Sequence, residues 1–164
     1  MSDLAIAKDY ARSFCDEVKD EIEKVEFVGA VRRGVRTIET ISLLIIPKQS
    51  VNNLGVAIVR TASARPYKMG AKLISFSYIH YKINVFIASW DNYELLKFIR
   101  TGPETFIKKS CQRAKELNLK LHADGSGIEK FNLLGEFEKW LRPQSEEDIF
   151  LCLGWPYIEP QNRI

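Results

Sequence analysis

The spacing of apolar residues changes along the chain and predicts two kinds of secondary structure. Residues 3–24 place Leu4, Phe14 and Val18 at helical spacing, which predicts an amphipathic helix. Apolar or alternating runs typical of strands lie at residues 25–31, 40–46, 66–77 and 78–87. Residues 50–60 fit a helix or an irregular segment. We therefore expect this part of the chain to form a mixed sheet with flanking helices.

The pattern becomes mainly helical beyond Ser89. The segment DNYELLKFIRTG predicts a helix that ends at Gly102, and a second helix is expected to begin at Pro103. A glycine-rich hairpin is expected in the stretch LHADGSGIEKFNLLG. Ser145 and Asp148 have the spacing of a capping box at the start of a short acidic helix. The predicted fold class is therefore α+β, with a sheet first and a smaller helical and hairpin part after it.

Composition and cysteine placement are those of a folded protein in a reducing compartment. Apolar residues make up 46% of the chain, and no apolar run is long enough to span a membrane. The three cysteines, Cys15, Cys111 and Cys152, are scattered and not spaced as metal ligands. The N-terminus lacks the apolar run of a secretory signal. We expect an intracellular protein, cytoplasmic or nuclear, with no membrane contact and no bound metal.

Charge is distributed unevenly along the chain. Residues 30–120 carry sixteen basic and five acidic side chains, a net charge of +11, although the whole chain carries only +3. Residues 1–29 and 121–164 each carry a net charge of −4. A basic middle with acidic flanks predicts a surface that faces a polyanion.

Two polar features of the first part could bind phosphate or metal. Gly29 begins a turn that continues into Arg32 and Arg33, where backbone N–H groups and guanidinium groups could contact phosphate. In the strand that follows, Thr40 and Ser42 share one face because side chains alternate along a strand.

Asn84, on a later predicted strand, is the polar residue that could meet Thr40 and Ser42. Metal-dependent phosphoryl transfer uses carboxylates at such positions to hold two Mg²⁺ ions. Threonine, serine and asparagine contribute no charge, so we expect no tight two-metal site. Glu39 faces the other way, and a slip of one residue would turn the apolar face of the strand outward.

Four stretches, in the expected order, resemble the X family of DNA polymerases, which includes DNA polymerase beta. GAVRRG is similar to the family's Gly-Ser-x-Arg-Arg turn, and ETISLLIIP is similar to the strand that bears its Asp-x-Asp pair. RTGPETFIKKSCQRAKELNLKLHADG resembles the start of the family's thumb. SEEDIFLCLGWPYIEPQNR resembles its C-terminal signature and is the most specific of the four.

The resemblance implies a polymerase-beta-like nucleotidyltransferase palm over residues 1–89 and a small α/β thumb over residues 90–164. It implies that the turn of Gly29, Ala30 and Arg33 contacts a nucleotide triphosphate. It also implies that the turn at Gly102 and the helix after it hold the nascent base pair.

The sequence departs from the family at the positions that perform catalysis. The two carboxylates of the Asp-x-Asp pair fall at Thr40 and Ser42, the third falls at Asn84, and the serine of the turn falls at Ala30. Gly102, which the fold needs, is retained. We therefore expect no catalytic residues and no cofactor, and Mg²⁺ only if the protein is an enzyme after all.

Basic residues in the thumb region are the candidates for binding nucleic acid. In the family, this lobe lies along the minor groove and its phosphates. Lysine and arginine side chains that neutralise phosphates supply salt-dependent affinity without sequence preference. Together with Arg32 and Arg33 of the first part, the candidates are Arg100, Lys108, Lys109, Arg113 and Lys115.

Three functions remain open from the sequence. The first is a non-catalytic protein that binds gapped, nicked or duplex DNA, for which a repair or replication protein is a candidate partner. The second is an active nucleotidyltransferase whose metal ligands come from elsewhere, with Glu39 or Asp91 as the nearest candidates. The third is a protein-interaction module that uses its acidic flanks or the apolar surface around WPYIEP.

Overall fold

The structure of the protein, a computed structural model, describes residues 3–164, and Met1 and Ser2 lie outside the described part. The chain divides after Ser89 into two compact units, which are described separately below. Within residues 3–164, no helix combines the length and the apolar character that crossing a bilayer requires.

The first unit is a five-stranded mixed sheet with helices packed on one face. Its strand order is β1-β2-β5-β4-β3, in which β2 and β5 are parallel and the other neighbours are antiparallel. Its elements, in chain order, are α1 (Asp3–Glu17), β1 (Ile22–Val28), α2 (Gly29–Arg32), β2 (Thr40–Pro47), α3 (Val51–Arg60), β3 (Ala64–Met69), β4 (Leu73–Tyr78) and β5 (Tyr81–Ile87).

Alternation along the strands decides which face of the sheet is buried against the helices. Ile41 and Leu43 of β2 are fully buried, and they belong to one apolar cluster with Phe14 of α1 and Leu54 of α3. The residues between them, beginning with Ser42, point to the opposite face because successive side chains alternate. The helices therefore cover one face. The other face, called the open face below, carries the polar side chains of Thr40 and Ser42 at the start of β2 and the buried apolar ones of Leu44 and Ile46 further along.

The strands differ in detail from the sequence prediction. The first strand ends at Val28, because Gly29 adopts a positive φ of 61° and begins the short helix α2. The predicted strand over residues 66–77 is two strands, since a tight turn at Gly70 is closed by a hydrogen bond of 3.0 Å from its N–H to the carbonyl of Leu73. The α+β class with a mixed sheet and flanking helices is confirmed.

The second unit packs three helices beside a small antiparallel sheet of order β6-β7-β8. The third strand of this sheet is absent from the sequence prediction, since its residues are mostly exposed and carry no clear alternation. The elements are α4 (Tyr93–Thr101), α5 (Glu104–Glu116), β6 (Leu119–Leu121), β7 (Ile128–Phe131), β8 (Phe137–Leu141) and α6 (Glu146–Cys152).

The predicted capping box is half formed at the start of α6. The hydroxyl of Ser145 accepts a hydrogen bond of 3.1 Å from the backbone N–H of Asp148. The carboxylate of Asp148 accepts in return from the N–H of Gln144, at 2.9 Å, one residue before the position that a capping box uses. Both bonds hold the acidic first turn of α6 in place.

A buried ion pair lies at the centre of the second unit. The Arg163 guanidinium donates to the Glu146 carboxylate at 2.9 Å, and both side chains are almost completely buried. Arg163 also stacks against the rings of Phe98, Phe106 and Phe150, at 5.2 to 5.8 Å from their centroids. The last residues of the chain are thereby fixed to three helices of this unit.

We expect Glu146→Gln to lower the free energy of unfolding of the second unit by about 3–5 kcal/mol, because it leaves a buried guanidinium without its countercharge. Urea unfolding followed by tryptophan fluorescence measures this unit, since all three tryptophans lie between residues 90 and 155. Glu138→Gln is the control: it removes an exposed partner of Lys130 and should cost less than about 1 kcal/mol. Equal costs for the two variants would contradict the central role of the buried pair.

Candidate nucleic-acid interface

The three positions at which the sequence lacks carboxylates come together on the open face of the first sheet. Ser42 of β2 lies opposite Asn84 of β5 in the parallel register, and Thr40 lies two residues earlier on the same face. On the other side of β5, Asn84 lies opposite Ser75 of β4. These four side chains form a neutral polar patch in the middle of the sheet.

The geometry of the polar patch does not favour a divalent cation. The Ser75 hydroxyl donates a hydrogen bond of 2.8 Å to the side-chain oxygen of Asn84. This amide oxygen is the best metal ligand in the patch, and the hydrogen bond already occupies it. Mg²⁺ gives up its water reluctantly and is usually held by one or two carboxylates. Thr40 and Ser42 offer only hydroxyl oxygens, so the patch lacks the negative charge that a two-metal site requires.

The two acidic residues that the sequence offered as alternative metal ligands are both exposed. Glu39 is exposed just before β2, and Asp91 is exposed at the start of the second unit. Over residues 3–164, no group of three histidine, cysteine or acidic side chains has a geometry that could hold a metal ion.

The turn after β1 presents the predicted phosphate-binding residues. Gly29 has a φ of 61°, a conformation that favours glycine, and the N–H of Val35 bonds to the carbonyl of Ala30 at 3.1 Å and closes the turn. Ala30 packs partly against the core and supplies no hydroxyl for a phosphate. Arg32 and Arg33 are both half-buried. Burial lowers the pKa of Arg33, but an arginine stays charged at neutral pH.

Three basic residues share the open face with the polar patch, and the sequence analysis did not include them. Arg65 of β3 lies opposite Ser77 of β4, which lies opposite Lys82 of β5. Lys68 of β3 lies opposite Ser75, in the row that contains Asn84. The only signal in the sequence was their strand spacing, and the strand order was needed to place them beside the polar patch.

The predicted basic residues of the second unit have different surroundings. Lys108 and Lys115 are exposed on α5 and lie two helical turns apart, so they share one side of the helix. Lys108 forms an exposed ion pair with Glu104 at 2.6 Å, which contributes little stability and is readily exchanged for another anion. Lys109 is exposed and donates to the carbonyl of Ile164 at 3.4 Å.

The two predicted arginines of the second unit are partly buried. Arg113 donates to the carbonyl of Leu153 at 3.1 Å and pairs with Glu116 at 3.0 Å, so it joins α5 to the end of α6. Burial lowers the pKa of Arg100, and the nearby charge of Asp124 opposes this shift. Lys108, Lys109 and Lys115 are therefore the predicted residues best placed to reach a ligand.

Gly102 lies where the sequence analysis predicts the end of a helix. It is buried, follows α4 and has a φ of 62°, in the region that favours glycine. The helix α5 begins two residues later, after Pro103. The residue therefore ends α4 and lies in the two-residue connection between α4 and α5.

Comparison with protein families identifies the second unit. Residues 97–164 match the family model of the DNA polymerase beta thumb. No curated protein matches the chain significantly. The matched region contains α5, the small sheet and the buried ion pair. A thumb of this family indicates a DNA-binding, polymerase-like protein. The C-terminal part of the chain, residues 97–164, is therefore similar to a DNA polymerase beta thumb.

Proposed function

We propose that this protein binds DNA without metal ions and does not polymerise it, and that it serves as an accessory factor in DNA repair or replication. The DNA bound is duplex with a gap or a nick, or intact duplex. In this proposal the first unit is a palm that has lost its catalytic carboxylates. No cofactor is needed for binding.

The observation that carries the proposal is the neutral polar patch of Thr40, Ser42 and Asn84. A polymerase of this family needs three carboxylates there to bring two metal ions to the reacting phosphate. Three neutral side chains on this face remove both the metal site and the repulsion between carboxylates and DNA phosphates. The same three replacements therefore abolish catalysis and favour direct binding of a polyanion.

The thumb match and the exposed lysines of α5 support the DNA-binding part of the proposal. Lys108, Lys109 and Lys115 extend along one helix and can each neutralise a phosphate. Such contacts release condensed counterions, so the affinity should fall steeply with salt and depend little on base sequence. The net charge of +11 over residues 30–120 agrees with a polyanionic ligand.

The alternative of an active nucleotidyltransferase with unusual ligands requires Glu39 or Asp91 to bind metal. Glu39 precedes β2 and lies outside the row of Ser42 and Asn84. Incorporation of nucleotides by the purified protein in Mg²⁺ or Mn²⁺, abolished by Glu39→Gln or Asp91→Asn, would favour this alternative over the proposal.

A protein-interaction module is the second candidate, and one surface feature favours it. Leu133 and Leu134, at the tip of the β7–β8 hairpin, are 94% and 84% exposed. The side chain of Asn132 accepts from the N–H groups of Leu134 and Glu136, both at 2.9 Å, and so holds the tip in one conformation. An ordered pair of exposed leucines is typical of a contact with a partner protein.

The WPYIEP segment, which the sequence analysis offered as the apolar surface, is less available. Trp155 and Ile158 pack against the core of the second unit. The interaction candidate predicts that Leu133→Ser/Leu134→Ser removes specific cross-linked partners in cells, and that the wild-type protein does not bind DNA. Failure of the wild-type protein to bind DNA even at low salt would leave this candidate in place of the proposal.

We expect the protein to bind a fluorescent gapped duplex in EDTA, with an affinity that falls linearly on a log–log plot against salt concentration. Lys108→Gln/Lys115→Gln should reduce the slope by about two, because each lysine that contacts a phosphate contributes about one. Fluorescence anisotropy measures both quantities.

The control for this experiment is Lys48→Gln/Arg60→Gln, which removes the same charge. Lys48 follows β2, and Arg60 ends α3 on the side of the sheet that the helices cover, and both are exposed. An equal loss in both double variants would show that net charge alone determines the affinity, and would contradict a specific role for α5.

We expect the triple variant Thr40→Asp/Ser42→Asp/Asn84→Asp to make DNA binding depend on Mg²⁺. In EDTA, three added carboxylates should weaken binding by about tenfold through repulsion of phosphates. Adding Mg²⁺ should restore the affinity of the variant and leave that of the wild type almost unchanged. Wild-type binding that itself required Mg²⁺ would contradict the proposal.

A further inference from the structure

From β2 to β3, the open face of the first sheet carries three basic side chains and no acidic one. Arg65, Lys68 and Lys82 are exposed, and within residues 3–164 none of them pairs with a carboxylate. Basic side chains on a protein surface commonly have acidic neighbours. Three basic side chains without acidic partners on one sheet face therefore indicate a surface for an anionic ligand.

The register shows how the three cations are arranged around the neutral polar patch. One row across the strands runs from Arg65 through Ser77 and Lys82 to Thr40. The next row runs from Lys68 through Ser75 and Asn84 to Ser42. We call these eight residues the basic sheet face.

The open face around the basic sheet face has no acidic residue on the strands from β2 to β3. Besides those eight residues, the side chains of these strands on the open face are the uncharged Leu44, Ile46, Leu73 and Phe86. Of β1, Glu26 is on this side, next to the partly exposed Lys24, and their side chains approach to 3.6 Å. The electrostatic potential over the open face is therefore positive from β2 to β3. Neutral hydroxyl and amide groups lie between the basic side chains.

Such a surface suits phosphate oxygens. Lysine and arginine side chains supply the charge, and the hydroxyls of Thr40, Ser42 and Ser77 can donate hydrogen bonds between them. Lys82 and Arg65 are two strand spacings apart, about 10 Å, so that their flexible side chains can reach different phosphates of one strand. The ligand needs no metal ion, because the side chains carry the positive charge that metal ions would otherwise supply.

We propose that the basic sheet face binds phosphate groups directly, with Arg65, Lys68 and Lys82 in place of metal ions. This inference rests on the proposed function of metal-free DNA binding and assigns part of that binding to the first unit. The phosphates belong either to a DNA strand or to a free nucleoside triphosphate, which present the same oxyanion chemistry.

The test compares Arg65→Gln/Lys82→Gln with the control Lys48→Gln/Arg60→Gln, which removes two exposed cations that lie outside the basic sheet face. Each protein is titrated in EDTA with a labelled gapped duplex and, separately, with a fluorescent deoxynucleoside triphosphate. We expect the first variant to bind its phosphate ligand about tenfold more weakly and, with DNA, to show a salt slope reduced by about two. The control variant should lose much less affinity, and its salt slope should change little.

A second measurement reports on the site without substitutions. Acetylation of the wild-type protein, followed by mass spectrometry, measures the accessibility of each lysine with and without ligand. Lys68 and Lys82 should react several-fold more slowly in the complex, whereas Lys48 should react at an unchanged rate. Thermal unfolding of each variant checks that the fold is retained.

The outcomes separate this inference from the proposed function. If the wild type binds DNA but the two double variants lose affinity equally, or Lys68 and Lys82 are not protected, the inference is wrong and the proposed function stands. If the wild type binds the triphosphate and not DNA, and Lys82 is protected, the inference stands and the proposed function is wrong. If the wild type binds neither ligand at low salt, both are wrong.

Discussion

The parallel pairing of β2 with β5 is the constraint on which the first unit depends. Every other neighbouring pair in its sheet is antiparallel and connects strands that follow one another in the chain. The β2–β5 ladder alone joins the β1–β2 pair to the β3–β4–β5 meander, with α3 in the connection. Its register is fixed by burial, because a slip of one residue would move Ile41 and Leu43 from the core to the open face.

That register also determines the chemistry of the open face. Burying Ile41 and Leu43 against the helices necessarily places Thr40 and Ser42 on the other side, where Ser42 lies opposite Asn84 and Thr40 lies opposite Lys82. Hydroxyl and amide groups occupy these positions and supply no negative charge for a metal ion. In the proposed function, this part of the sheet carries positive charge where a polymerase palm carries carboxylates. The positive charge comes from basic residues of β3 and β5, which lie beside the neutral ones.

The second unit shows why a basic residue in a sequence is not always a ligand contact. Arg163 lies in the core, where its charge is matched by Glu146 and its plane packs against aromatic rings. Arg113 joins two helices through the Leu153 carbonyl. The lysines of α5 are exposed, because a flexible side chain with a strongly hydrated charge is hard to bury. Arg113 and Arg163 thus have structural roles, whereas Lys108, Lys109 and Lys115 lie on the surface.

The sequence by itself determined the α+β class, the helices α4, α5 and α6, the neutral character of Thr40, Ser42 and Asn84, and the resemblance of the C-terminal part to a polymerase thumb. These follow from local spacing and from motifs that are contiguous in the chain. The turn at Gly70 and the strand β8 did not follow, because strand boundaries depend on which neighbours are available for pairing.

Only the tertiary structure decided which distant residues share a surface. Arg65, Lys68 and Lys82 belong to two strands separated by a third, and no local pattern shows that they lie on the face of Ser42 and Asn84. The structure likewise distinguishes Arg113 and Arg163, which contact other parts of the second unit, from the exposed lysines of α5. The physical reason is that side-chain alternation is encoded locally, whereas strand order and register come from packing the whole core at once.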